Sequence, residues 1–123
     1  MRIKTDIRLF FLSFMLVNTV FTQQNKITAE ATAIERTLSF RDIPNLKEPY
    51  ITVAPTERND GIKVGKLKLK SDDKEAIVKV SQDIFNGTYG NYDALLISHK
   101  NKLVFESYYK KGRIDLPHGQ ASA

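Results

Sequence analysis

The sequence predicts an α+β chain, and two stretches carry that reading. Residues 71–86 hold apolar side chains at helical spacing between an acidic start and an Asn-Gly stop. Residues 92–109 hold two apolar runs separated by a short polar reversal, the pattern of a β-hairpin. Around them, three prolines at 44, 49 and 55 break residues 23–60 into short pieces.

The chain begins with a basic stretch and an apolar run. Arg2, Lys4 and Arg8 outnumber Asp6, and Leu9 to Val17 is interrupted only by Ser13. A basic start before a short apolar core is the layout of a secretory signal peptide. The run is too short to span a bilayer, which takes about 20 apolar residues. With Val20 and Thr22 at the small-residue positions, residues 1–22 are the expected signal peptide and Gln23 the mature start. No stable membrane span is expected after its removal, and secretion or a periplasmic location follows.

Residues 23–60 are expected to form an N-terminal extension laid along a surface. Ile27 to Leu38 favours a short helix, weakened by Thr28, Thr32 and Thr37. Tyr50, Ile51 and Val53 form a short extended piece, and Asn59-Asp60-Gly61 is a turn. From Val64 to Lys70 apolar residues alternate with Lys66, Lys68 and Lys70, which predicts an extended segment with one buried face.

Ser71 is placed to cap the helix that follows, and Asp72 and Asp73 suit the positive end of its dipole. Ile77, Val80, Ile84 and Phe85, with Ala76 beside them, make its apolar face. Gly87 supplies a left-handed stop. In the hairpin, Ala94 to Ile97 and Leu103 to Phe105 are the strand cores, continued by Tyr108 and Tyr109. His99 to Lys102 is the reversal, with Asn101 suited to a left-handed backbone. Strict alternation sends Leu95 and Leu96 to opposite faces, and likewise Val104 and Phe105. Both faces of the hairpin then need a covering layer, and one helix covers one face.

Composition excludes several classes. The 123 residues are 41% hydrophobic and 27% charged, which argues against a disordered or low-complexity chain. With no cysteine there is no disulfide, thiolate metal site or cysteine nucleophile, and two histidines make a conventional zinc site unexpected. No glycine-rich phosphate loop occurs, and no cofactor is expected. Loss of residues 1–22, with three basic residues and one acidic one, lowers the net charge from +5 to +3. That scattered excess gives no support for a nucleic-acid partner.

Several of these residues together resemble a known family. They are Gly87-Thr88-Tyr89-Gly90-Asn91-Tyr92-Asp93, Leu95-Leu96-Ile97, Lys102 to Tyr109, and His118 four residues before Ser122. Across roughly residues 60–123 they resemble the start of the serine hydrolases that include class C β-lactamases, penicillin-binding proteins, esterases and nylon-oligomer hydrolases. The resemblance implies the N-terminal part of a β-lactamase-like fold, an antiparallel sheet flanked by helices, with residues 61–123 opening the hydrolase domain.

It also implies that Ser122 is the nucleophile of a Ser-x-x-Lys motif. A serine hydroxyl needs a base, and a lysine three residues later on a helix shares its face. Here the motif is cut, because the lysine position falls two residues past Ala123. The expected activity is attack on an amide, ester, β-lactam or peptidoglycan-derived substrate through an acyl-enzyme. The expectation for the 123 residues alone is a fragment without activity. The competing reading is a secreted, non-catalytic binding module that uses its lysine face or hairpin. His118 is expected to position or turn the chain, His99 to be solvated, and Glu106 and Asp93 to lie apart across the hairpin.

Overall fold

The computed structural model describes residues 28–117. The proposed signal peptide, His118 and Ser122 all lie outside the described residues.

The sheet is organised by one strand. β1 (Tyr50–Thr52), β2 (Ala94–His99) and β3 (Lys102–Tyr108) pair antiparallel in the order β1-β3-β2. Tyr50 lies opposite Tyr108 on one side of β3, and Ala94 lies opposite Tyr108 on the other. β3 is paired along both edges, and residues 104–109 are all buried. The mixed α+β character expected from the sequence is present, and the short extended piece at Tyr50 is the third strand.

The hairpin turns through Lys100 and Asn101, at φ 50° and 60°. Two successive left-handed residues match the twist of the flanking strands. Asn101 takes the expected conformation, and Lys100 adopts it too.

Strict alternation fails at one point. Ile97 faces Phe105, but Ser98 faces Leu103, which leaves Val104 as an extra residue in β3. The bulge lets consecutive Val104 and Phe105 both join one buried cluster with Leu67, against which Ile51, Ile77, Leu95 and Ile97 pack. The expectation that Val104 and Phe105 part to opposite faces is corrected by that bulge. Fully burying a side chain such as Phe105 contributes roughly 1.5–3 kcal/mol.

α1 spans Ser71–Phe85, as the spacing predicts, with two differences in detail. Lys70 is the N-cap residue and no side chain caps it, so Ser71 begins the helix and does not cap it. The buried face runs through Ile77, Ser81 and Ile84, while Val80 is 40% exposed. Ser81 takes the central position because it meets Ser107 of β3, hydroxyl to hydroxyl at 3.3 Å. Two small polar residues face to face give helix and sheet a hydroxyl contact that a valine at position 81 would remove.

The helix ends as Gly87 predicts. At φ 87° its N–H donates to Ile84 O, and the Thr88 N–H donates to Asp83 O, both at 3.0 Å. This reciprocal pair is the Schellman arrangement.

The alternating stretch at 64–70 makes one parallel bridge, Val64 to Leu103, and forms no strand. Leu67 is buried and Leu69 is 42% exposed. The short helix expected at 27–38 is a 3-10 turn at Glu35–Thr37, followed by another at Phe40–Asp42. Thr32 and Glu35 cap each other: the Glu35 N–H donates to Thr32 Oγ1 and the Thr32 N–H to Glu35 Oε2. The stretch does not continue helically past Thr37 because Leu38 is already extended.

Candidate functional site

The chain leaves β3 through a tightly held segment leading toward residue 118. Gly112 N–H donates to Tyr109 O at 2.7 Å, closing a turn. A β-carbon on Gly112 would lie 2.0 Å from Asp93 O, so only glycine fits. The next residue, Arg113, is 3% exposed and acts as a hub. Its Nη1 donates to Lys110 O and Gly112 O, and its Nη2 to Glu35 Oε1 at 2.7 Å and Pro44 O at 2.8 Å.

Arg113 in turn sets the ionisation of Glu35. Its hydrogen bond holds the Glu35 carboxyl below the usual carboxylate range, against the opposing effect of burial. Further along, Ile114 N–H donates to Ala29 O, Asp115 accepts from Ala31 N–H and pairs with Arg36. Residues 29–46 thus strap the exit segment as far as Asp115.

A second polar group lies between α1 and the sheet. Ser107 Oγ donates to Leu95 O at 3.2 Å. Having one proton, it then accepts from Tyr109 Oη at 2.5 Å and from Ser81 Oγ. Hydroxyls and one carbonyl make up this network. It contains no base to activate a serine, and its role is to join helix and sheet.

The third group covers the opposite face. Glu106 is fully buried, and both its oxygens accept from Arg58 Nη2, at 3.0 and 2.9 Å. The rings of Tyr50 and Tyr108 lie beside them, 6.3 Å apart. Burial, and then the Glu106 charge, pushes the Tyr108 hydroxyl up to about 12; Tyr50 is raised by the same two causes. One guanidinium thus engages both oxygens of this carboxylate.

Asp93 is committed elsewhere. Its carbonyl accepts from Tyr109 N–H and its carboxylate from Lys111 N–H. Glu106 and Asp93 therefore have separate partners and form no acid–base pair. His99 is exposed at the hairpin end. Lys110 bonds Asn91 and Lys111 bonds Arg41 O. The sequence reading did not single out Arg58, Glu35 or Arg113. A charged residue within the apolar run from Val104 to Tyr109 was the available sign that Glu106 needs a cation, and Thr32-x-x-Glu35 was the sign of a cap.

Among the described residues, no three acidic or histidine side chains cluster as metal ligands, and no helix is long and apolar enough to cross a membrane. Over the described residues, fold and geometry define a small α+β unit, a three-stranded antiparallel sheet with one α-helix and a strapped exit from its central strand. No protein family, curated protein or solved structure matches it.

Proposed function

We propose that this chain is the nucleophile-bearing N-terminal part of an exported serine hydrolase related to the class C β-lactamases and penicillin-binding proteins. The observation that carries the reading is the run from Tyr92 to Tyr109 followed by His118 and, four residues on, Ser122. The antiparallel hairpin over 94–108 and the helix ahead of it are in keeping with it.

In the proposed reaction, the Ser122 hydroxyl attacks the carbonyl carbon of an amide or ester. A lysine three positions later takes its proton, and the Ser122 backbone N–H is one donor for the developing oxyanion. As the tetrahedral species collapses, the lysine returns its proton to the departing amine or alcohol, the bond from the carbonyl carbon to that nitrogen or oxygen breaks, and water hydrolyses the acyl-enzyme that remains. The strap of residues 29–46 supports the reading by fixing the approach to this segment.

The test uses a serine-directed acylating probe and peptide mapping. In a protein continued through a Ser-x-x-Lys motif, the Ser122 peptide is expected to be labelled, and Ser122→Ala to abolish the label. The 123 residues alone, lacking the base, are expected to stay unlabelled. Labelling that persists in Ser122→Ala overturns the proposal.

A further inference from the structure

We propose that the tip of the β2–β3 hairpin, with the adjoining segment around residue 62, is a docking surface for an anionic phospholipid bilayer. This inference does not rest on the hydrolase reading. Three lysines meet there. Lys100 sits in the two-residue turn, Lys102 opens β3, and Lys63 lies alongside because Lys63 O accepts from Leu103 N–H at 2.8 Å. The Lys102 side chain lies beside Gly65 on that same segment.

All three lysines are exposed, and among the described residues none makes an ion pair or a side-chain hydrogen bond. Lys79, Lys110 and Lys111 are engaged, whereas Lys47, Lys66, Lys68, Lys70 and Lys74 share the unpaired state, so what sets the tip apart is the aliphatic surface beside its lysines. One carboxylate lies close in sequence, Asp60, whose Oδ1 accepts from Ile62 N–H. Lys100 also stands at φ 50°, where glycine or asparagine is favoured, so local backbone preference does not account for it.

The same place exposes aliphatic surface. Ile62 and Leu96, each 52% exposed, line a shallow cleft of about 550 Å³ together with Lys63, Asn101 and Leu103. Aliphatic side chains in a cleft that Lys63 also lines, next to the turn that carries Lys100 and Lys102, match the boundary between anionic headgroups and acyl chains. A soluble polyanion would engage the lysines and leave Ile62 and Leu96 in water. Nucleic acid is read with arginine forks and stacked aromatics, and none lines this cleft.

The test is co-sedimentation of the full chain with vesicles of phosphatidylcholine alone, or mixed with phosphatidylglycerol, at low and high salt. The reading is the difference between the two kinds of vesicle, compared among chains that all carry the same Arg2, Lys4 and Arg8. The chain is expected to prefer the phosphatidylglycerol vesicles, with the preference falling as salt rises. Lys63→Glu/Lys100→Glu/Lys102→Glu should weaken binding to those vesicles about 100-fold, and the three arginine substitutions should preserve it. Ile62→Ser/Leu96→Ser should weaken vesicle binding about tenfold and leave binding of inorganic polyphosphate unchanged. Equal binding of the unaltered chain to both vesicle types overturns the proposal. So does binding to the phosphatidylglycerol vesicles that Ile62→Ser/Leu96→Ser leaves unweakened, or a preference for them that Lys63→Glu/Lys100→Glu/Lys102→Glu leaves intact.

Discussion

Glu35 and Arg113 are 78 residues apart in sequence and 2.7 Å apart in space. The pair joins the segment before β1 to the segment after β3. Both side chains are almost wholly removed from water, at 11% and 3% exposure. Such a pair adds little over an apolar one while intact, but its rupture is costly, because the surviving charge stays buried without a partner.

Glu35→Ala is therefore expected to destabilise the chain by about 3–5 kcal/mol at neutral pH, measured by urea unfolding. The pH dependence has a definite sign. The folded carboxyl titrates below its unfolded value of about 4.3, so its contribution is present above that pH and lost as pH falls through the lower folded value. The difference between the original chain and Glu35→Ala should narrow in acid. A difference constant with pH would assign the loss to packing.

The Arg58–Glu106 pair leads to a second expectation. Arg58→Met leaves a fully buried carboxylate with no cation and should cost about 3–5 kcal/mol. Arg58→Met/Glu106→Leu should recover most of it, since no charge is then buried. Tyr108 reports on the same place. Its folded value, about 12, exceeds the unfolded value of about 10. Its contribution to stability is thus present below about pH 10 and lost as pH rises toward 12. Absorbance titration should show one tyrosine ionising last, and Glu106→Gln should bring that step down.

What was legible in the sequence was local. The helix at 71–85 and the hairpin at 94–108 are written in periodicities and in Asn86-Gly87, signals that span a few residues. Features set by distant neighbours were not. Ser81 displaces Val80 from the buried face because Ser107 waits 26 residues away. Val104 joins Phe105 in one cluster because of a bulge that apolar patterning does not encode. Arg58 finds Glu106 across 48 residues, and no spacing rule links them. As for the candidate site, the exit strap became visible only in three dimensions, while Ser122 lies outside the described residues and rests on sequence resemblance.

Gly112 offers the most local test of that strap. The three atoms nearest its missing β-carbon are all backbone: Asp93 O at 2.0 Å, Asp93 C at 2.9 Å and Tyr109 O at 3.0 Å. A methyl group there has no flexible neighbour to displace. It must push apart residue 93 and the turn at 109–112, loosening the 2.9 Å bond from Tyr109 N–H to Asp93 O. Gly112→Ala is expected to cost about 3 kcal/mol or more by urea unfolding, the upper end for an overpacked site. Gly61→Ala is the comparison, because it also replaces a glycine but at φ 83° with open space around it. Left-handed strain alone should cost about 1–2 kcal/mol there. Hydrogen exchange should separate the two, with protection lost at Tyr109 and Gly112 in Gly112→Ala and retained in Gly61→Ala. Equal costs in the two variants, with Tyr109 still protected in both, would show that the exit of β3 has room to move.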